Sequence, residues 1–340
     1  MKKRVRLGVC FCAVVLCAAG CKKSDNYKIL EASRNQTLPM YESNDEELDS
    51  DKNALKTLED VYTSGYETEE WKVEGVTKPA GILCRKEDLL IVDCASDSVT
   101  VVDGSGKVLQ KIGREGSGAG EFRNPTAITE YGGNVYVLDR GNQRVQIFDE
   151  NMDYVDEIPL KDFKLSDPNY VPGMLAVNAS GVYIAGLSLR HSVADRYAQD
   201  GREEIGQNFL GTICSYQEQI YLINSVVRTY DKESDSFGTT SSGPEWLFTA
   251  EGSELVEQCS LPHGLFITDF VAEDRGITCI SVSGYSVFRI GWNGEYQETI
   301  SRIDGLQDEE YPKISVNAQG DYFIAMPEAG KIFRCHKGRE

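Results

Sequence analysis

Hydrophobic residues in this chain fall in short runs rather than along helical faces. Leu89-Leu90-Ile91-Val92-Asp93 and Val99-Thr100-Val101-Val102-Asp103 return, 46 positions later, as Val135-Tyr136-Val137-Leu138-Asp139 and Val145-Gln146-Ile147-Phe148-Asp149. Pro79-Ala80-Gly81-Ile82 returns at the same offset as Pro125-Thr126-Ala127-Ile128. Short β-branched runs bounded by Gly, Asn and Asp predict strands. In the second copy these are 126–130, 134–139, 144–149 and 154–158, with turns at Gly132-Gly133 and Glu150-Asn151-Met152-Asp153. Apolar residues at consecutive positions predict sheets covered on both faces.

A β-rich unit that recurs every forty-odd residues is the mark of a propeller blade. The third blade opens at Pro172-Gly173-Met174 and continues through 182–185. The fourth is read as 212–216, 219–224 and 226–231, followed by a long outer hairpin rich in Ser, Thr and Gly. The fifth is 267–272, 277–282, 286–292 and 296–300, and the sixth starts at Pro312 with 314–317, 322–325 and 331–335. Five steps of roughly 47 residues from Pro79 to Pro312 give six blades. The last blade has only three strands, and Glu70-Trp71-Lys72-Val73-Glu74 is expected to add the fourth, removing two open sheet edges. The fold expected over 69–338 is therefore all-β: a six-bladed β-propeller of four-stranded antiparallel blades, its ring closed by an N-terminal strand.

The first twenty residues differ from this pattern. Lys2, Lys3, Arg4 and Arg6 precede an apolar run over 7–19, which is shorter than a bilayer span and reads as the core of a signal peptide. Ala18-Ala19-Gly20-Cys21 resembles the bacterial lipobox, although Cys17-Ala18 stands where Leu-Ala is commoner. The resemblance implies that residues 1–20 are removed and that Cys21 becomes the acylated first residue, carrying diacylglycerol and palmitate. An ordinary secretory signal or an uncleaved anchor is the alternative. Residues 21–68 are then an acidic flexible tether, with Leu55, Leu58 and Val61-Tyr62 at the spacing of one short helix.

The formal charge of −19 argues against phosphate backbones, so no nucleic acid is expected as a partner. Of the cysteines, Cys10, Cys12 and Cys17 leave with the signal, and Cys84, Cys94, Cys214, Cys259, Cys279 and Cys335 remain. Outside the cytoplasm this set permits disulfides, with Cys84 and Cys94 on neighbouring strands as the favoured pair. Buried free thiols in strand runs are the alternative.

Gly113-Arg114-Glu115-Gly116-Ser117-Gly118-Ala119-Gly120-Glu121-Phe122-Arg123-Asn124-Pro125, with Asp139-Arg140-Gly141-Asn142-Gln143-Arg144 after the next strand, resembles an NHL repeat. The match is close in the second blade, while the first reads Asp93-Cys94-Ala95-Ser96-Asp97-Ser98 at the corresponding loop. The resemblance implies fold across the ring, and it extends to the six-bladed propeller lipoproteins of bacterial envelopes. The glycines lack the GxGxxG spacing and no helix follows, so they read as a crossover between blades. Arg140 and Arg144 are candidate ligand-binding donors, set against a role in tying their own loop together.

Two classes of function remain. One is a lipid-anchored, extracytoplasmic binding module at the bacterial cell envelope that grips a protein, peptide or glycan and needs no cofactor. The other is a metal-dependent lyase or hydrolase with its site at the channel, which needs converging His or carboxylate ligands. His191, His263 and His336 sit at unlike blade positions, and the partners of Asp93 and Asp139 in the third and sixth blades are Gly186 and Met326. No metal ligands and no catalytic residues are therefore assigned. Ser192 beside His191 lacks a GxSxG elbow.

Overall fold

The computed structural model describes residues 4–5, 65–160, 171–187, 192–198, 201–207, 210–231, 236–240, 246–251, 254–261, 267–281 and 285–338. Cys21, His191, His263 and the helical spacing at 55–62 lie outside the described residues.

Six antiparallel sheets stand around a common axis. Blade 1 is Pro79–Arg85, Asp88–Asp93, Ser98–Asp103 and Val108–Ile112. Blade 2 is Pro125–Tyr131, Asn134–Asp139, Arg144–Phe148 and Tyr154–Pro159. Blade 3 is Val171–Asn178, Gly181–Leu187, Ser192–Ala198 and Gly201–Gln207. Blade 5 is Ile267–Glu273, Gly276–Ser281, Ser286–Gly291 and Tyr296–Arg302. Each blade is laid down from the inside outward, because tight turns join strands that pair with their sequence neighbours. Each inner strand packs on the inner strand of the next blade, and that of blade 6, Lys313–Val316, returns to blade 1.

The core is divided between the blades. Val92, Phe122, Val137 and Phe148 fill the space between blades 1 and 2, and Leu138, Leu160, Val177 and Ile184 that between 2 and 3. Comparable clusters follow around the ring to Trp71, Ile91, Val102 and Phe323 between blades 6 and 1. A blade buried on both faces needs apolar residues at consecutive positions, which explains the continuous runs in the sequence.

Blade 6 combines Lys313–Val316, Tyr322–Met326 and Lys331–Lys337 with the N-terminal strand Tyr66–Glu70. The ring is thus closed by an N-terminal strand, four residues upstream of the segment expected and beginning before position 69. Outer strands face solvent on their exposed sides, so the closing strand is polar, and four of its five residues are exposed. The segment expected was 70–74, just before the first blade. Trp71 follows the strand, donates its amide to the Ile332 carbonyl at 2.7 Å and fills the gap between blades 6 and 1.

Blade 4 departs from the expected strands. Gln219–Asp231 is one long strand, so 226–231 is not a separate third strand. Leu210 pairs with Val226 and Gly211 with Asn224, leaving Ser225 as a bulge where a turn was expected. No Gly or Pro separates Ile223 from Val226, so the chain continues. The distal half pairs with Ser236–Thr240 outside the blade, and Trp246–Glu251 and Glu254–Ser260 complete the sheet. Arg4–Val5 pairs with Leu255 and Val256 at its outer edge.

The six described cysteines are free thiols. Cys84 pairs across the strands with Leu89, and Cys94 lies five residues further along. At ~3.3 Å per residue that separation is far beyond disulfide reach, so the favoured bridge is excluded.

Candidate functional site

The inner strands enclose a cavity of about 240 Å³ on the axis, lined by 81–84, 127–129, 174–175, 213–215, 269–272 and 313–316. Every blade contributes. Inner strands carry a bulge near their start in blades 1, 2, 3 and 5, where Pro79, Pro125, Pro172 and Ile267 precede the shift. Such bulges re-aim the residues that follow toward the axis.

Charge in the cavity comes from neighbouring blades. Asp269 of blade 5 accepts the Ile314 amide at 2.9 Å and the Thr212 hydroxyl at 3.1 Å. Its Oδ1 lies 4.0 Å from Lys313 Nζ of blade 6. Burial pushes the Asp269 carboxyl above its ordinary range, and Lys313, the Ile314 amide and Thr212 pull against this without cancelling it. Two thiols share the lining. Burial pushes the Cys84 thiol up to about 12, with the Ser315 hydroxyl opposing it. Burial, and then the nearby Asp269 charge, lift Cys214 well above its ordinary value. Both thiols are therefore protonated at neutral pH, and neither is a ready nucleophile.

The blade 2 loop holds the residues singled out from sequence. Asp139 is fully buried and accepts from the Arg123 amide at 2.8 Å, Asn142 at 2.8 Å and Arg144 Nε at 2.8 Å. Arg144 also reaches Glu157 at 2.6 Å and the carbonyls of Gly118 and Glu121 at 2.7 and 2.8 Å. Its buried guanidinium thus faces the protein's own crossover rather than solvent. Arg140 is half-buried at the start of a single 3-10 turn, Arg140–Asn142. The crossover glycines are equally engaged: the amides of Gly116, Gly118 and Gly120 bond to the Phe122 carbonyl, Glu121 and Gln146. Gly113 has φ 93°, and a Cβ there would collide with the buried Phe122 ring. In blade 1 Asp93 makes the corresponding knot, accepting from the amides of Thr77, Lys78 and Ala95 and from Ser96.

His336 sits on the outer face of blade 6, its Nε2 3.8 Å from Glu69, remote from the axis. Among the described residues no group of three or more His, Cys, Asp and Glu is placed to hold a metal ion. No described helix is long and apolar enough to cross a membrane. Sequence reasoning missed Asp269 and Lys313. The signal was there: Asp269 is a charge in the middle of an inner-strand run, and Lys313 stands at the start of one.

Six four-stranded blades around a lined channel define a six-bladed β-propeller. In agreement, the profile of a family described as 6-bladed beta-propeller matches residues 70–230. No curated protein matches the chain. A gluconolactonase from Xanthomonas campestris superposes with a TM-score of 0.56 at 12% identity, covering 80% of this chain and 90% of its own. Virginiamycin B lyase from Staphylococcus aureus gives 0.52 at 13% identity, covering 80% and 99%. A structural genomics protein of unknown function from Bacteroides thetaiotaomicron gives 0.52 at 14%, covering 79% and 72%. At these identities the likeness is one of fold alone.

Proposed function

We propose that this protein is a lipid-anchored, extracytoplasmic β-propeller that acts as a non-catalytic binding module at the bacterial cell envelope. Its anchor is Cys21, its spacer the acidic stretch from there to the closing strand that begins at Tyr66, and its second blade an NHL-type repeat. Its partner is an envelope protein, peptide or glycan. The observation that carries the binding reading is the state of the channel. The one carboxylate of its described lining, Asp269, already accepts from Ile314 and Thr212, and its thiols are protonated. A rigid ring whose channel offers no ready base or nucleophile is suited to gripping a partner on its face rather than to proton abstraction or nucleophilic attack.

A second reading, a metal-dependent lyase or hydrolase at the channel, has one observation in its favour: the raised carboxyl of Asp269 lies on the cavity wall. Two measurements on the full chain, expressed in a bacterium, separate these readings. Labelled palmitate is expected on the wild type and not on C21A. Cross-linking in intact cells is expected to retrieve one reproducible envelope partner, with less than stoichiometric zinc or calcium in the purified protein. An unlabelled wild type would refute the anchor. Stoichiometric metal, together with lactone or lyase turnover abolished by chelation, would replace the binder with the enzyme.

A further inference from the structure

Lys313 is the one described cation on the wall of the axial cavity. It is 8% exposed. Among the described residues its one charged neighbour is Asp269, with Oδ1 at 4.0 Å, and its Nζ makes no hydrogen bond to any of them. A closed ammonium–carboxylate contact measures about 2.7–2.9 Å. An ammonium carries three donors, so Lys313 can offer hydrogen bonds to an acceptor that enters the cavity beside it. Asp269 cannot swing over without abandoning the Ile314 amide and Thr212.

The cavity constrains what that acceptor belongs to. A volume of about 240 Å³ excludes a folded partner or an oligosaccharide, whereas a ~150 Å³ apolar cavity already holds a benzene-sized body. Ile82, Ile128, Leu175 and Phe270 supply apolar lining, and hydroxyls and thiols occur at Thr129, Ser215, Ser315, Cys84 and Cys214. A cationic ligand would be repelled by Lys313 and would find, among the described lining, only the Asp269 carboxylate, each of whose oxygens already accepts a hydrogen bond. A dianion such as phosphate would face Asp269 with only one cation in its support. One negative charge on an apolar body satisfies both constraints.

We propose that the channel is a binding site for a small monocarboxylate, about ten non-hydrogen atoms with an aryl or branched-alkyl body, whose carboxylate accepts from Lys313 Nζ. This site is distinct from the partner-gripping role, and the two fail separately: partner capture can be lost with carboxylate binding intact, and the reverse.

Calorimetry on the full-length protein, with phenylacetate and its uncharged match phenylacetamide as probes, tests the assignment. Phenylacetate is expected to bind saturably at one site, and phenylacetamide about tenfold more weakly or worse, because a hydrogen bond to a charged group is lost. K313M is expected to abolish phenylacetate binding. D269N is expected to tighten it, by removing the opposing charge while keeping an acceptor for the Ile314 amide. If K313M does not fold, M174W, which fills the cavity from blade 3, serves in its place and is expected to exclude the ligand. Equal affinity for acid and amide, unchanged binding in K313M or M174W, or no binding of phenylacetate at all would overturn the proposal.

Discussion

Asp139 and Asp93 are fully buried carboxylates that occupy the same repeat position and hold the ends of their blades by accepting several donors each. Removing one partner of such a knot leaves the others buried and unpaired. D139A is therefore expected to lose about 3–5 kcal/mol in urea denaturation, because Arg144 keeps only Glu157 as a counter-charge and the donors of Asn142 and the Arg123 amide lose their buried acceptor. A loss under 1 kcal/mol would mean that the knot is incidental. Asp93 adds a pH dependence. Burial raises its carboxyl, but the Thr77 amide, the Ser96 hydroxyl and the amides of Ala95 and Lys78 outweigh this and hold it below the ordinary range. Its contribution is complete above the unfolded value near ~3.9 and is lost as pH falls through the lower folded value. D93N is expected to be less stable than wild type at pH 7 and to lose less on going to pH 3, as read by denaturation midpoints. An identical acid limb in both proteins would assign that limb to other carboxylates. The Asp139 loop was legible because its residues are neighbours in sequence. The Asp269–Lys313 pair was not, because its members meet only when the phase between blades 5 and 6 is known.

At the scale of elements, legibility followed turn chemistry and burial. Blade 2 was readable strand by strand, since Gly132-Gly133 and the Asp149–Asp153 turn punctuate it and its runs are apolar. Blade 4 was not, since Ser225 is absorbed as a bulge and gives no break. The closing strand hid for another reason: an exposed outer strand carries no hydrophobic signature, and what marks it is charge. Glu67 faces His336 and Glu69 faces Arg334 across the ladder, and Glu70 pairs with Lys331 at 3.1 Å. Opposite charges across a ladder stabilise it modestly and are screened by salt. Reversing all three glutamates to lysine is expected to lower the melting temperature by roughly 2–5 °C in dilute buffer and by less in 1 M salt. Equal melting temperatures for variant and parent in dilute buffer would show that charge does not guide the closure.

At the scale of the molecule, each blade is too thin to keep a core of its own, so stability resides in six spaces between blades and depends on the ring being complete. The two ends of the ring meet where the Gly338 amide donates to the Gly65 carbonyl at 2.9 Å. Strands from opposite ends of the sequence thus share one sheet, and opening that seam would expose two edges together with the Trp71 cluster. The most direct test of this closure uses the natural Cys335, which pairs across the ladder with Thr68, the Thr68 hydroxyl lying 3.6 Å from its sulfur. In T68C the two cysteines face each other on paired strands, at a separation a disulfide can span. Mass spectrometry after mild oxidation is expected to find the peptides containing residues 68 and 335 joined, with a raised melting temperature that returns to the parent value on reduction. Two free thiols at those positions after oxidation, in a protein that is otherwise folded, would contradict a ring sealed by its first strand.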